Sequence, residues 1–313
     1  MSNKIILGII VVIMVAGIAV VSFRSGDTPQ VVNNASVYCS SVGTLTDTML
    51  IQSHRSYCIK SNADVTNFAP NAPATFTYSI IDDQGNILKD LDVVHEKLMH
   101  FIVVRKDLAS FQHLHPEFNS ETGEFTLTDL NLPADGEYRL FADFTPQASQ
   151  MDPNGDKLPV TIYQDVRVGT LANYTPQPIG TTEKSKMFDA YQVTLIPNSA
   201  SVASGSDIGF DFEIKKDGKL ITNLEKYLGA LGHTVVLRDG DLQFIHAHAT
   251  QKSTDPQTGK IHFAIAFPDA GNYKLFSQFQ HEGKIITTDF VVNVVAGSGT
   301  NTEVQHGGDS TVH

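Results

Sequence analysis

Two stretches of the 313-residue chain, HFIVVRKDLASFQHLH at 100–115 and HTVVLRDGDLQFIHAH at 233–248, each carry three histidines at the same spacing. A neutral imidazole offers a lone pair and is a common ligand for zinc, copper and nickel. His100, His113 and His115, or His233, His246 and His248, would form a divalent transition-metal site if brought together. Crowded imidazoles without a metal repel when protonated and lack partners when neutral. One histidine in a strand is ordinarily a packed or surface residue. Three at one spacing, present twice, argue for metal over the alternatives of a hydrogen-bonded histidine network or a polar binding patch.

A hairpin is the element that must position them. Arg238-Asp239-Gly240-Asp241 contains Asp-Gly, the strongest signal for a two-residue type I′ turn. Pairing Arg238 with Asp241 sets His233 opposite His246, with His248 the diagonal neighbour on the same face. In the first stretch the same register pairs His100 with His113 around a turn at Lys106–Asp107. The histidine face also carries Val235, Leu237 and Phe244, or Ile102, Val104 and Phe111, whereas the other face of the second hairpin shows Thr234, Gln243 and Ala247. It is therefore expected to face the core of its own module, with one metal site at the end of each. Candidate further ligands are His95, Glu96 and Asp143 in the first copy and His281 in the second. Met99 alternates onto the opposite face from His100 and is left out.

The hairpins belong to a longer repeat. At an offset of 134, Tyr57 lies over Tyr191 and Phe76 over Phe210; from Gly85 the offset is 133, superposing the histidines. LPADGEYRLFADF at 132–144 then matches FPDAGNYKLFSQF at 267–279. Short runs rich in Val, Ile, Phe and Tyr alternate with Gly, Asp, Asn and Pro turns, the pattern of an antiparallel sandwich. Tyr138 and Tyr273, each just after an Asp/Gly turn, read as structural tyrosine corners. The expected fold is all-β: two tandem immunoglobulin-like antiparallel β-sandwich modules, 55–168 and 187–295, after an N-terminal transmembrane helix. Residues 169–186 form a polar linker and 296–313 a disordered tail, and the one plausible helical stretch is short, at 223–232.

Residues 5–21 are uninterrupted apolar or glycine, giving a membrane anchor over 1–24; a cleaved signal peptide is the alternative. Lys4 favours an N-terminus inside, which leaves the rest of the chain extracytoplasmic, either periplasmic or at the cell surface. The two cysteines, Cys39 (in the segment 25–54) and Cys58, suit one disulfide in an oxidising compartment, worth roughly 3 kcal/mol. A net charge of −12 excludes nucleic acid and anionic membrane surfaces as electrostatic partners.

The segments HEKLMHFIVVRKDLASFQHLHPEF…LPADGEYRLFADFTP and YLGALGHTVVLRDGDLQFIHAHA…FPDAGNYKLFSQFQHEGKI resemble modules of secreted or membrane-anchored bacterial proteins suspected of handling copper and other heavy metals. The likeness spans about 57–295; it departs at Ala249, where the second module usually has proline. It implies an immunoglobulin-like or cupredoxin-like sandwich and, among metals, copper before zinc. A blue-copper site is excluded, because neither repeat has a cysteine beside its histidines.

Three functions compete: a membrane-tethered metal-binding protein acting in binding, delivery or resistance, a metalloenzyme, and a structural or adhesive module. Catalysis is the weaker expectation. No glutamate sits four or five residues past His115 or His248, as a cupin needs, and the only acids near, Glu96 and Glu117, are unmatched in the second copy. No nucleophile triad, P-loop or dinucleotide fingerprint is present. The chain is expected not to be an enzyme.

Overall fold

The computed structural model describes residues 30–32, 35–38, 57–61, 68–149, 151, 157–255 and 259–297. The expected anchor at 1–24, Cys39 and nearly all of the tail lie outside the described residues. Among the described residues no helix is long and apolar enough to cross a membrane.

Ahead of the first repeat lie β1 (Gln30–Val32) and β2 (Ala35–Tyr38); the repeat itself comprises β3 (Cys58–Ser61), β4 (Ala74–Ile81), β5 (His100–Arg105), β6 (Phe111–Leu114), β7 (Glu117–Asn119), β8 (Glu124–Leu130), β9 (Gly136–Phe144) and β10 (Val160–Val168). The second comprises β11 (Ser185–Phe188), β12 (Tyr191–Pro197), β13 (Asp207–Lys216), β14 (Lys219–Leu220), β15 (His233–Arg238), β16 (Phe244–Asp255), β17 (Lys260–Ala266), β18 (Gly271–His281) and β19 (Lys284–Val294). In the first, the sheet β1-β2-β3-β4-β8-β7 packs on β10-β9-β5-β6. In the second, β11-β12-β13-β17 packs on β16-β15-β18-β19, and β16 joins the two sheets. The first part of β16 pairs with β15 and the later part with β17. In the first repeat β6 stops at Leu114 and β7 starts at Glu117, with Pro116 between them. The 133 offset places Pro116 on Ala249, whose N–H donates to the Gly232 carbonyl at 3.1 Å. Proline has no such hydrogen, so the strand breaks in one copy and runs on in the other.

Each module has its own aromatic core, around Phe76, Tyr78, Phe101 and Phe125 in the first and Phe210, Phe212, Phe263 and Phe279 in the second. Both tyrosine corners form. Tyr138 donates from its hydroxyl to the Ala134 carbonyl at 3.0 Å, and Tyr273 to the Asp269 carbonyl at 2.9 Å. Tyr138→Phe is expected to cost about 1 kcal/mol, read as a lowered urea midpoint at an unchanged m-value.

Three local expectations are corrected. The stretch 223–232 is not helical: Tyr227 pairs with Ala230 around Leu228 (φ 52°) and Gly229 (φ 77°), successive left-handed positions that reverse the chain. The hairpin loops hold four residues instead of two. The Arg238 N–H donates to the Gln243 carbonyl at 3.1 Å and the Arg105 N–H to the Ser110 carbonyl at 3.0 Å. His233 thus faces His248 instead of His246, and Val235 faces His246; in the first copy Ile102 faces His113. The longer loops follow from Leu108 and Leu242, each held at φ near 60° and buried to 0% and 2% exposure. A two-residue turn would leave no apolar residue to reach that buried position.

The third correction concerns the histidine face. Phe101 and Val103 point into the core of the first module, but Ile102 and Val104 belong to a separate apolar cluster with Leu108, Phe141, Val235, Leu237, Leu242, Phe244 and Phe276. That cluster lies between the modules. The histidine faces of the two repeats therefore look at each other, and the inner sheets are buried on both sides, down to Thr234, whose hydroxyl pairs with that of Ser277 at 2.8 Å. Cross-module contacts come in swapped pairs. Phe111 stacks on Phe276 at 4.3 Å while Phe244 packs on Phe141 at 5.0 Å. Arg139 donates to the Asp241 carbonyl at 3.1 Å while Lys274 donates to the Leu108 carbonyl at 3.0 Å. Such reciprocity marks an isologous interface, here inside one chain. The connecting segment runs along it: the Gln177 N–H donates to Asp107 at 2.8 Å and Ile179 packs against the shared cluster.

Candidate metal centre

His100 opens β5, His113 lies within β6 and His115 follows it, and β9 sets Asp143 beside His100. A register two residues away from the expected one keeps all three imidazoles on one face, because strand side chains alternate with period two. One nitrogen of each lies within 4.8 Å of the others. The closest approaches are His100 Nδ1 to His113 Nε2 at 3.0 Å and His115 Nε2 to His100 Nδ1 at 3.3 Å.

Outer contacts decide the tautomers. His100 Nε2 is 3.1 Å from the Val94 carbonyl, an acceptor, so the proton sits on Nε2. His113 Nδ1 is 2.9 Å from the amide oxygen of Gln278, whose Nε2 donates to Thr287, so this proton sits on Nδ1. The inner nitrogens of the two neutral rings then face each other as acceptors across 3.0 Å. A proton or a cation between them would relieve this opposition. Protonation is opposed. Burial first, then the nearby His246 and other charges, push His100 down to about 4 and His113 well below its ordinary value; burial and His100 push His115 down to about 3. A metal ion satisfies both lone pairs without a buried imidazolium. The donor set is also what zinc or copper takes, three neutral imidazoles, those of His100 and His113 with their outer N–H groups anchored.

The second repeat carries the same outer contacts. His233 Nε2 donates to the Tyr227 carbonyl at 2.8 Å, as His100 does to Val94. His246 Nδ1 donates to Asp143 Oδ2 at 2.8 Å, while Asp143 Oδ1 accepts from Thr161 at 2.8 Å. Each module thus orients a histidine of the other: Gln278 holds His113 and Asp143 holds His246. The two sets lie in one cluster instead of at two separate ends. Ring centroids are 5.3 Å apart for His100 and His246, and 6.1 Å for His113 and His246. His248 stands opposite His233 in the ladder; its side chain is outside the described residues.

Among the additional candidates, His95 and Asp143 are in the cluster and Glu96 and His281 are not. His95 occupies a left-handed turn (φ 48°) and lies 5.3 Å from the His233 ring. Burial and then His246 hold it down at about 4, and His233 at about 3. Glu96 is exposed, with its carboxylate toward Gly229. His281 turns to the other side of β18, where its Nδ1 meets the Tyr191 hydroxyl at 3.1 Å. Gln278 was missed, although the 135 offset that ends the repeat places it on Asp143. Val94 and Tyr227 act only through their carbonyls, which leave no trace in residue type.

The family model described as a domain of unknown function (DUF8832) matches residues 57–152 and again 185–296. No curated protein matches the chain. Among solved structures, a marsupial T cell receptor is 9% identical over 79% of this chain and 75% of its own, with a TM-score of 0.23. A Salmonella alpha-2-macroglobulin is 12% identical over 76% of this chain and 14% of its own, at 0.25, and domains 5–6 of the S-layer protein SbsC are 12% identical over 78% and 97%, at 0.22. At such scores these likenesses carry no argument.

Proposed function

This chain belongs to the DUF8832 family, carrying the domain twice, and we propose that it is an extracytoplasmic, membrane-tethered metal-binding protein. One set of ligands per repeat takes copper, or else zinc: His100, His113 and His115 in the first, His233, His246 and His248 in the second. Its role is metal binding, delivery or resistance. The observation that carries this reading is the 3.0 Å approach of two imidazole lone pairs in a buried site whose rings resist protonation. Binding is favoured over catalysis because Asp143, the one acid hydrogen-bonded to the cluster among the described residues, is engaged by Thr161 and His246. Elemental analysis of untagged protein after dialysis against Cu(II) or Zn(II) tests the reading. Loading that vanishes when both triads are replaced supports it; dialysed wild type without metal overturns it.

The location rests on residues 5–21 and on the cysteines. Tyr38 pairs with Ile59, the neighbour of Cys58, in the β2–β3 ladder. The expected result is no thiol-reactive cysteine in denaturant until reductant is added, and two afterwards. Two reactive thiols in unreduced protein would argue against an oxidising compartment.

A further inference from the structure

Five imidazoles from both repeats close a ring. Centroid separations are 6.2 Å for His95–His100, 5.3 Å for His100–His113, 6.1 Å for His113–His246, 6.4 Å for His246–His233 and 5.3 Å for His233–His95. The 5.3 Å approach of His100 to His246 divides this ring in two. On one side lie His113 and His115, and on the other His95 and His233. We infer that the cluster is a single two-ion centre: a second divalent transition-metal ion binds on His233 and His246 of one repeat together with His95 of the other, next to the ion held by His100, His113 and His115. This rests on the metal-binding reading and goes beyond it, since His95 of the first module joins the second repeat's ligand set and the position is built from both modules.

Tautomers support it. The Tyr227 carbonyl and the Asp143 carboxylate only accept, so His233 is protonated on Nε2 and His246 on Nδ1. Their remaining nitrogens are the ones able to coordinate, as Nδ1 of His100 and Nε2 of His113 are in the first position. Position supplies a second argument. His95 and its equivalent Leu228 take the same left-handed turn, at φ 48° and 52°, and only the first module places an imidazole there, 5.3 Å from the His233 ring of the other. Charge is the third. Asp143 is hydrogen-bonded to a ligand of the second position and Gln278 to one of the first, so the carboxylate acts on the ion that must be accommodated next to another. Asp143 is a positioning residue acting through His246; a carboxylate behind a ligating histidine raises its basicity. The two positions are therefore inequivalent and fill in sequence, and filling them ties the modules together.

The test uses the full chain without an affinity tag, with tail residues His306→Ala and His313→Ala, titrated with Cu(II) alone. Two ions per chain are expected, the second with a loss or dipolar broadening of the electron paramagnetic resonance signal of the first. His95→Gly, which the left-handed backbone accepts, and Asp143→Asn should each weaken the second equivalent, by roughly 10–100-fold for Asp143→Asn, and leave the first unchanged. Asp143→Glu should recover part of the loss. Thermal melts of the metal-free variants separate misfolding from lost binding. One ion per chain overturns the second position together with the second repeat's ligand set, and leaves metal binding by His100, His113 and His115 standing. Two magnetically isolated ions overturn the shared centre, and a second equivalent indifferent to both substitutions overturns its mixed composition. No uptake at all removes the underlying reading as well.

Discussion

His113→Ala is expected to lower the affinity for the first Cu(II) or Zn(II) ion by more than about 100-fold, the upper range for losing a partner outside the coordination shell. His113 stands at the junction of everything the site requires. Its Nε2 meets His100 Nδ1 at 3.0 Å, and its Nδ1 is anchored to Gln278 in the other module. Removing the ring deletes a ligand, relieves the lone-pair opposition that favours a cation, and orphans the Gln278 carbonyl oxygen in the interface. Gln278→Leu keeps all three ligands yet frees the ring, so a smaller loss, about 10–100-fold, is expected. Competition titrations against a chelator of known affinity measure both. Equal affinities for wild type and His113→Ala would remove the three-histidine group from metal binding altogether.

The second large effect is in pH. Five histidines of the metal-free protein, His95, His100, His113, His115 and His233, are held below their ordinary value of 6.5, chiefly by burial. Unfolding restores that value, so between the two values the unfolded chain binds more protons and stability rises with pH. The contribution is complete above about 6.5 and is lost as pH falls toward about 4, the folded value of His95 and His100, with His115 and His233 reaching about 3. His100, only 4% exposed, accounts alone for about 3 kcal/mol over that interval. Urea denaturation of metal-free protein at stepped pH should show a steep decline below 6.5, and replacing His100 and His113 with apolar residues of similar size should flatten it. Because these rings stay neutral in the folded state well below 6.5, metal affinity should change little between pH 7 and 5. A flat stability profile over that range would mean that the rings are not buried as the interface places them.

The histidine triads, their common face and the all-β class could be read from residue order alone, because each depends on periodicity and on matches between two copies. Alternation by two puts residues 100, 102 and 104, and 113 and 115, on one side whatever the loop length, so the wrong register still grouped the right side chains. The tyrosine corners were equally local, since Tyr138 and Tyr273 bond to a carbonyl four residues back.

Which way that face looks was not local. Ile102 and Val104 are as apolar as Phe101 and Val103, and the runs HFIVV and HTVVL are buried on both sides. Such unbroken runs signal a strand covered on both faces, but not what covers it. Thr234 and Ala247 suggested solvent there, yet Thr234 reaches Ser277 inside the second module. Only the folded chain placed one repeat's histidines against the other's, gave His246 to Asp143 and His113 to Gln278, and sent His281 to Tyr191 instead. Those pairings join residues 90 to 165 positions apart. The physical reason is that the interface is held by swapped contacts between two complete modules, while each module's own pattern specifies only what one side of its sheet needs.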